Sequence, residues 1–521
     1  MNRREMLERV LNRSQPWQIL VIGGGATGAG IAVDAASRGY EVLLVEQNDF
    51  GKGTSSRSTK LVHGGVRYLE QGNISLVMEA LRERGIVRQN APHLVSDLAF
   101  VVPRYDWWEA PFYGLGLKAY DLLAGKYGFG SSQLLTREET LARLPTIKKD
   151  GLRGGVIYYD GQFDDARLLI HMVVTASDEG AILLNYVEVT GLTKDAEGFV
   201  NGVSARDVET GRDLHATAKV VVNATGAFSD RLRRAADPAA ESMIAPSQGI
   251  HLVFDAAFLA GESAIMVPHT SDGRVLFAIP WHGRTLVGTT DTPVPEPTLE
   301  PVAQEKEVDF ILATAAEYLA KAPTRDDVLS VFAGIRPLVR APGASSTAAL
   351  SRDHVIHIDP SGLVNIMGGK WTTYRHMAED CVDQAATLAQ LPEQPCVTRN
   401  LHIHGFHGEA KQFGPLAHYG SDAYEIRKLI ANDPNLGAPL HLRLPYVKAE
   451  VIWAARHEMA RTIEDVLARR TRALFLDARA AAEMAQPVAD LMALELGWSE
   501  VFKTKQIAAF RSLASNYILC S

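Results

Sequence analysis

Short apolar runs at four places along the chain have the length and composition of buried strands. The first run covers residues 18–22, a helical pattern follows it, and the second run covers 41–45. This order predicts a strand, a helix and a second strand that pairs in parallel with the first. Later runs at 220–223 and 366–369 each enter a glycine-containing turn. The pattern predicts an α/β fold built from segments that are far apart in sequence.

The middle of the chain has a different pattern. Residues 274–281 and 285–290 are rich in β-branched and aromatic side chains and are separated by a short turn, which predicts a hairpin. Further strands are predicted at 253–254 and 264–267, and a helix from about 302 to 320. These elements predict an antiparallel sheet with helices on one side.

From about residue 395 the composition changes to that of a helical region. Val451, Ala455, Met459, Ile463 and Val466 recur at spacings of four, four, four and three, which predicts one amphipathic helix. Several arginines crowd the same stretch, and nearby acids lie at helical spacing from them. We interpret this face as solvated or ion-paired rather than lipid-binding. The arginines are Arg456, Arg461, Arg469, Arg470 and Arg472.

The start of the chain has neither a secretory signal nor a predicted membrane span. Its uncharged stretch, 14–33, contains a proline and five glycines, which suit a strand, a turn and a helix start better than a lipid-facing helix. Before it, Met6, Leu7, Val10 and Leu11 form one apolar stripe. We interpret this stripe as a surface helix that packs on its own domain, although an interfacial helix has the same pattern.

Composition narrows the class of protein. The 521 residues suffice for two to four domains, and 46% hydrophobic with 22% charged residues is typical of globular proteins. Lys and Arg total 53 against 61 Asp and Glu, and this net charge of −8 argues against a nucleic-acid partner. Three cysteines cannot form a disulfide framework, so a reducing compartment is expected.

A dinucleotide-binding fingerprint lies between the first two predicted strands. Gly23, Gly25 and Gly28 form a G-x-G-x-x-G, and Glu46 ends the second strand 23 residues after the first glycine. The glycines permit a tight turn, close approach of a pyrophosphate and close packing of helix on strand. The helix N-terminus offers free amides to the phosphates, and the acid can accept hydrogen bonds from ribose hydroxyls.

The remaining glycine turns favour FAD over NAD. Residues 51–60 form a loop rich in small hydroxyl side chains, and the turns after 220–223 and 366–369 return to the same site from distant segments. Several returns of this kind suit a long, buried and permanently held cofactor. Histidines 402, 404 and 407 are interpreted as part of a polar linker, and no metal site is predicted, because no cysteine or carboxylate completes the group.

Taken together, these segments resemble the FAD-dependent, respiratory glycerol-3-phosphate dehydrogenase family. The resemblance covers essentially the whole chain, and the H-G-G-V-R-Y-L-E and G-G-K-W-T-T-Y-R segments are its most specific parts. One departure is Ile250, where the family commonly has a small polar residue. The matching segments are 23–28, Glu46, 54–56, 63–70, 223–226, 249–251, 334–338, 351–353 and 368–375.

The resemblance implies a fold of three parts. These are a Rossmann-like FAD-binding domain, an antiparallel-sheet substrate cap and an α-helical C-terminal domain. The expected pieces are 1–85, 155–228 and 335–392 for the discontinuous FAD-binding domain, 86–154 and 229–334 for the cap, and 395–521 for the C-terminal domain. The residues expected to bind FAD are Gly23, Gly25, Ala26, Thr27, Gly28, Glu46, Thr54, Ser55, Ser56, His63, Gly64, Gly65, Ala224, Thr225, Gly226, Gly368, Gly369, Lys370, Trp371 and Thr372.

Oxidation of a secondary alcohol by a flavin requires a base for the hydroxyl proton. His251 is the first candidate, and Lys370 is the second if burial depresses its pKa. A phosphorylated substrate also needs an arginine clamp, for which Arg336 and Arg352 are the expected pair. A cation near the flavin, Arg336 or Lys370, would stabilise the reduced ring. The resemblance further places Arg67 and Tyr68 in the substrate pocket, where Lys370 is also expected to bind substrate.

The activity implied by the resemblance is oxidation of sn-glycerol 3-phosphate to dihydroxyacetone phosphate, with electrons passed from FAD to a membrane quinone. The alternatives are an oxidase of the same substrate that uses oxygen, an amine or amino-acid oxidase, and a flavoprotein-like binding module without activity. The resemblance also implies a peripheral protein on the cytoplasmic face of the inner or plasma membrane. The sequence leaves open the docking surface and whether two chains form a homodimer.

Overall fold

The structure is a computed structural model that describes residues 1–65, 73–105, 109–267, 270, 275–340 and 353–519, without the side chains of 109–115 and 126. Its α-helices are α1 (Arg3–Leu11), α2 (Ala26–Ser37), α3 (Ile74–Asn90), α4 (Glu109–Ala124), α5 (Arg137–Arg143), α6 (Asp165–Asp178), α7 (Ser229–Ala236), α8 (Glu305–Tyr318), α9 (Tyr374–Leu388), α10 (Ala423–Asn432), α11 (Lys448–His457), α12 (Ala473–Leu476), α13 (Ala478–Leu496) and α14 (Glu500–Ser515).

The strands belong to two large sheets and one hairpin. They are β1 (Trp17–Ile22), β2 (Val42–Val45), β3 (Leu61–Val62), β4 (Val95–Arg104), β5 (Gln133–Leu135), β6 (Gly154–Phe163), β7 (Ile182–Leu184), β8 (Val187–Lys194), β9 (Val200–Asp207), β10 (Asp213–Asn223), β11 (Ile244–Asp255), β12 (Ser263–Val267), β13 (Leu276–Trp281), β14 (Arg284–Gly288), β15 (Thr292–Pro293), β16 (Ser330–Val339), β17 (His354–Ile358), β18 (Val364–Gly368), β19 (Pro439–His441) and β20 (Leu444–Val447).

The first sheet is the predicted parallel sheet. Its main path runs β17-β18-β10-β1-β2-β7, and all pairs from β18 to β7 are parallel. Helix α2 packs against α6 and α9, and it is buried on almost every side because its residues are small or apolar. The expected Rossmann-like α/β arrangement is confirmed, with β1, β10 and β18 brought side by side from three distant parts of the chain.

The second sheet is mainly antiparallel and lies beside the first. Its path is β15-β11-β14-β13-β12-β4-β6-β3, with β16 paired to β11 and β5 to β6. The predicted hairpin is present as β13 and β14, and the predicted helix 302–320 is α8, which contacts β11 and β14. Strands β3 and β6 also belong to this sheet, although 61–62 and 155–163 were expected in the FAD-binding domain. The expected domain boundaries therefore stay a prediction.

The region after residue 395 is mainly helical, as expected, but the single helix across 451–466 is wrong. Helix α11 ends at His457, and Met459 has a positive φ of 54°. The Asp465 carboxylate then accepts hydrogen bonds from the Arg461 and Thr462 amides and so turns the chain, after which a separate π-helix covers Asp465–Arg470. Four of the five stripe residues are still buried and Ala455 is half-buried, but they do not belong to one helix.

The first helix packs on its own sheet, which confirms the preferred interpretation of its stripe. Met6 and Val10 are buried, and α1 contacts β7 and β10. Arg3 is also buried, where its guanidinium donates to the Asn185 carbonyl at 2.8 Å and to Asp207 Oδ1 at 2.6 Å. Within the described part of the chain, no helix is long and apolar enough to cross a membrane.

Candidate functional site

The glycine turn between β1 and α2 lies against the end of β2. The Gly24 amide donates to Glu46 Oε2 at 2.7 Å, and the Asn48 amide donates to Oε1 at 2.9 Å. Burial raises the pKa of Glu46, while these two amide hydrogen bonds oppose the rise. The carboxylate is thus fixed at the strand end beside the glycine turn, with further lone pairs that can accept from ribose hydroxyls.

The N-terminus of α2 has the geometry of a pyrophosphate site. Gly25 is the N-cap, and no side chain caps the helix there. The Ala26 amide donates to Ser55 Oγ at 2.9 Å, and a Cβ at Gly25 would lie 3.1 Å from that oxygen. Ser55 thus accepts from the first helical amide, and the helix presents its positive dipole end across a glycine surface that a side chain would fill. These residues fit the diphosphate of FAD.

The polar loop 51–60 meets the residues that follow the glycine turn at 368–369, as expected for one cofactor site. The Trp371 indole donates to the Ser55 carbonyl at 2.8 Å, and the His63 amide donates to Thr372 Oγ1 at 3.1 Å. Thr54 Oγ1 donates to the Ile335 carbonyl at 2.5 Å, which joins the loop to β16. The side chains at 54–56 and 371–372 therefore lie at the junction of the two sheets.

The glycine turn at 224–226 packs against the first glycine turn at 23–25. The Ala224 amide donates to the Ile22 carbonyl at 2.9 Å, and a Cβ on Gly23 would lie 2.6 Å from the Ala224 carbonyl oxygen. The Thr225 hydroxyl donates to Asn223 Oδ1 at 2.7 Å, and Gly226 begins a short 3₁₀ turn. The parallel pairing of β1 with β10 thus brings the predicted residues 224–226 beside 23–25.

His251 lies on β11 in a closed environment. Its ring stacks on Phe332 at a centroid distance of 4.9 Å, and its Nε2 is 2.9 Å from Thr59 Oγ1. Burial, Lys60 and Arg336 hold the pKa of His251 well below its ordinary range. The imidazole is therefore neutral near pH 7 and has a nitrogen that can accept a proton.

Arg336 lies on the same face of the sheet as His251. Ser247 pairs with Arg336 and His251 pairs with Phe332 across β11 and β16, so the alternation of strand side chains puts these residues on one face. The guanidinium donates to Thr289 Oγ1 at 3.1 Å and to the Thr290 carbonyl at 2.9 Å.

The Arg336 guanidinium folds over Gly249, which lies between Ser247 and His251 on β11. A Cβ on Gly249 would lie 2.4 Å from Arg336 Nη2, so the missing side chain leaves room for the guanidinium to approach His251. Asp291 lies 3.4 Å from Arg336 Nη1 and also accepts from the Ser247 hydroxyl. The pairing of Arg336 with a carboxylate and with neutral oxygens orients its planar fork.

The structure describes Lys370 and Gly64 among the other predicted residues, but not three of the expected substrate residues. Lys370 is half-buried and precedes the short turn Trp371–Thr373, whose Thr373 amide donates to the Lys370 carbonyl at 3.1 Å. The Gly64 amide donates to the Tyr120 hydroxyl at 2.9 Å, near the cap. The expected substrate residues Arg67, Tyr68 and Arg352 lie outside the described residues.

The site contains residues that the sequence analysis did not single out. Thr59 and Lys60 lie next to His251, and Asp165 from α6 binds the Lys60 ammonium at 2.6 Å. Thr59 and Lys60 belong to the predicted polar loop, so the loop itself was the available signal. Asp165 had none, because its partner is 105 residues away in sequence. Among the described residues, no group of three or more His, Cys, Asp or Glu side chains is arranged to hold a metal ion.

The linker expected around residues 402–407 has neither helix nor strand. It is not simply solvated, because His404 Nδ1 lies 2.8 Å from Asp178 Oδ2 and Nε2 lies 3.0 Å from Asp422 Oδ2. His402 stacks on Phe406 at a centroid distance of 3.6 Å. The linker therefore fixes the C-terminal region to α6 by specific contacts.

Comparison with known proteins identifies the family. A profile described as FAD dependent oxidoreductase matches residues 18–375, and one described as the C-terminal domain of alpha-glycerophosphate oxidase matches 365–503. The mitochondrial glycerol-3-phosphate dehydrogenase of Arabidopsis thaliana is 43% identical, over 94% of this chain and 84% of its own. The human mitochondrial enzyme of the same name is 40% identical, over 98% and 74%.

A solved structure agrees with these relatives over the whole fold. The glycerol-3-phosphate dehydrogenase from Bacillus halodurans, complexed with FAD, superposes with a TM-score of 0.81 at 32% identity and covers 99% of this chain and 98% of its own. The expectation of FAD as the cofactor is confirmed by the family and agrees with the geometry at α2. The chain therefore belongs to the FAD-dependent oxidoreductases and, among them, to the glycerol-3-phosphate dehydrogenase family.

Proposed function

We propose that this protein oxidises sn-glycerol 3-phosphate to dihydroxyacetone phosphate and passes the electrons from FAD to a membrane quinone. Family membership at about 40% identity supports the substrate and the reaction. The observation in this chain that carries the proposal is the shared face of β11 and β16. It presents a neutral imidazole at His251 and an arginine fork at Arg336 over the side-chain-free Gly249.

The two side chains suit the two ends of the proposed substrate. Arg336 would bind the phosphate, together with Arg352 and with Arg67 and Tyr68, because a guanidinium offers two parallel donors to phosphate oxygens. His251 would accept the proton of the substrate hydroxyl. FAD, when bound, supplies the hydride acceptor.

The electrostatics of His251 match this task in one respect and oppose it in another. The imidazole stays neutral before reaction, so it is ready to accept a proton. Lys60 and Arg336 oppose the positive charge that it would then acquire, and the substrate phosphate would offset part of that opposition. Lys370 is the second base, and it would also stabilise negative charge on the reduced cofactor.

Anaerobic titration of the purified protein with glycerol 3-phosphate tests the proposal. The flavin absorbance near 450 nm should bleach in proportion to added substrate. Retention of the oxidised spectrum in a protein that has bound FAD would exclude the substrate assignment. His251→Ala should slow this reduction, whereas an unchanged rate and pH profile would assign the base to Lys370 or water. Arg352→Ala should raise KM more than it lowers kcat, because a phosphate clamp gives mostly uniform binding.

The same sample then separates the electron acceptors. Addition of a short-chain quinone to the reduced protein should restore the oxidised spectrum faster than dissolved oxygen does. Faster reoxidation by oxygen, with peroxide produced, would make the protein an oxidase. We further propose peripheral attachment to the cytoplasmic face of the plasma or inner membrane. Co-sedimentation with anionic lipid vesicles should be reversed by high salt.

A further inference from the structure

Lys60 is a buried cation that the proposed reaction does not yet use. Its side chain is 0% exposed, and its Nζ donates to Asp165 Oδ2 at 2.6 Å and to the Ser56 carbonyl at 2.9 Å. Three aromatic rings surround the ammonium: Trp281 at 5.3 Å, Phe332 at 5.0 Å and Phe475 at 5.6 Å. A buried ammonium is costly unless it is paired, so this arrangement calls for an explanation beyond packing.

The charges around Lys60 come from three parts of the chain. Asp165 lies at the start of α6, and Arg472 follows the π-helix of the C-terminal region. Arg472 Nη2 donates to the Ser56 carbonyl at 2.6 Å and to Asp165 Oδ1 at 3.2 Å. Asp164 lies 3.8 Å from Arg472 Nε, and its other oxygen binds His282 at 3.0 Å. Burial is the largest cause that lowers the pKa of Lys60, to about 7, and Asp165 opposes it.

Two contacts connect Lys60 to His251. The preceding residue, Thr59, places its hydroxyl oxygen 2.9 Å from His251 Nε2. The Phe332 ring is stacked on the imidazole at 4.9 Å and also faces the Lys60 ammonium at 5.0 Å. The charged groups that act on His251 are Lys60 from the loop and Arg336 from β16, and both oppose a proton on the imidazole.

The loop is held in one conformation by the same contacts. Asp165 Oδ2 accepts from the Ser58 amide and hydroxyl as well as from Lys60 Nζ. Lys60 has a φ of 65°, which a lysine adopts only where surrounding contacts impose it. The hydrogen bonds among Ser58, Lys60 and Asp165 therefore fix the backbone on both sides of Thr59.

We propose that Lys60 is a positioning residue for His251, which holds Thr59 against the imidazole and places a positive charge across the Phe332 ring from it. This inference rests on the proposed function for its catalytic meaning. The electrostatic effect itself is a property of the protein with FAD alone. It can therefore be measured without substrate.

Titration of the histidine ring by NMR in the FAD-loaded protein tests the inference. With ¹³Cε1-labelled histidine, His251→Gln assigns the His251 signal. In the unaltered protein that signal should keep its neutral shift between pH 9 and pH 5.5. Lys60→Met should move the titration midpoint of His251 upward by about one pH unit. Lys60→Arg keeps the charge and should largely restore the original titration.

Lys52→Met is the matched control, because Lys52 lies on the same loop and pairs with Glu464 at 2.5 Å but does not act on His251. It should leave the His251 titration unchanged. An unchanged titration in Lys60→Met would overturn the inference. Lys60→Gln is a second neutral variant. If neither neutral variant folds and retains FAD while Lys60→Arg does, Lys60 only holds the loop, and the electrostatic role is wrong.

Flavin reduction by glycerol 3-phosphate gives the kinetic counterpart. Reduction requires a neutral imidazole, so a one-unit rise of the His251 midpoint in Lys60→Met should slow reduction up to about twofold at pH 5.5 and leave it unchanged at pH 9. A structural defect alone would lower the rate by one factor at every pH. If substrate fails to reduce the unaltered protein, the proposed function fails, while the NMR titration still decides the role of Lys60.

Discussion

At the scale of single residues, the position of Arg336 depends on glycine, which has no side chain, at residue 249. Gly249 lies under the Arg336 guanidinium, and a Cβ there would be 2.4 Å from Nη2 and 2.7 Å from Thr289 Oγ1. Gly249→Ala should therefore displace the guanidinium and raise KM for glycerol 3-phosphate about tenfold, with a smaller change in kcat, because a misplaced fork loses one of its two phosphate bonds. Steady-state kinetics and bound FAD measure the two effects.

Gly191→Ala is the control for this substitution, because a Cβ at Gly191 meets nothing within 4 Å. It should leave KM and FAD content unchanged. An unchanged KM in Gly249→Ala would mean that Arg336 does not bind the phosphate in its present orientation.

The sequence predicts some of these residues and not others for a physical reason. His251 and Arg336 have chemistry that the proposed reaction requires, so residue type and family resemblance predict them, and the structure brings them to one face of the sheet. Thr59 and Lys60 act through partners 192 and 105 residues away, at His251 and Asp165. No local pattern encodes such a contact, because only the packing of two sheets brings the segments together.

At the scale of elements, we expect the N-terminus of α2 to be the part of the fold on which FAD affinity depends most. Gly25→Ala adds one methyl group where the pyrophosphate would approach the helix, 3.1 Å from Ser55 Oγ. The helix itself should still form, since alanine is a good helix former. We expect FAD affinity to fall at least tenfold, with the unfolding temperature of the FAD-free protein nearly unchanged. Fluorescence titration with FAD and calorimetry measure these quantities.

Gly408→Ala is the control for the α2 prediction, because a Cβ there meets nothing within 4 Å and the residue lies outside the segments assigned to the cofactor. Normal FAD affinity is expected for this variant. Equal affinity in Gly25→Ala would exclude the proposed place of the diphosphate.

Element prediction succeeded where periodicity and turn chemistry agreed. The β13–β14 hairpin has two β-rich runs and a two-residue turn, His282 and Gly283, both with positive φ. The residues 451–466 have the apolar spacing of one helix, but apolar spacing does not show which groups the backbone amides bind. The Asp465 side chain accepts from the Arg461 and Thr462 amides, so a side-chain hydrogen bond ends the helical path there, while four of the five apolar positions are buried.

At the scale of the whole molecule, buried ion pairs join the C-terminal region to the segment that follows β2. Asp49 follows Glu46 by three residues, and its Oδ2 accepts from Arg469 Nε at 2.5 Å and from Arg470 Nη1 at 2.6 Å. The arginine-rich stretch was expected to be solvated or ion-paired. Arg469 and Arg470 are ion-paired and buried, and the partner of Arg469 is 420 residues away in sequence, which composition alone cannot reveal.

Asp49→Asn should destabilise the protein by about 3–5 kcal/mol, because it leaves two buried guanidinium groups without their shared charge. Burial raises the pKa of Asp49, but Arg470 and Arg469 outweigh it and lower the pKa to about 2. The folded value lies below the unfolded value near 4, so the contribution is present above pH 4 and lost as pH falls towards 2. Urea unfolding of the variant at pH 7 measures the loss.

Asp213→Asn is the surface control, since the Arg206–Asp213 pair is more than half exposed. Its effect on the free energy of unfolding should be small, because solvent screens the pair. If Asp49→Asn were no more destabilising than this variant, the C-terminal region would not depend on the buried pairs.

His404 predicts the opposite pH dependence for a second contact of the C-terminal region, the one with α6. Its ring lies between Asp178 on α6 and Asp422 in the C-terminal region. Burial lowers the pKa of His404, but the hydrogen bonds and charges of the two carboxylates outweigh it and raise the pKa to about 9. The folded value exceeds the unfolded value near 6.5, so this contribution is complete below pH 6.5 and is lost as pH rises to 9.

His404→Gln should therefore be less stable than the unaltered protein by about 2 kcal/mol at pH 6, and the difference should shrink towards zero at pH 9. Urea unfolding at pH 6, 7.5 and 9 gives the three differences, and His215→Gln, at an exposed position on β10, is the control. A difference that stays constant with pH would assign His404 a packing role. A difference that shrinks would show that the imidazolium charge of His404 stabilises the contact with α6. In that case this contribution is lost between pH 6.5 and 9, whereas the contribution of Asp49 is lost only as pH falls from 4 towards 2.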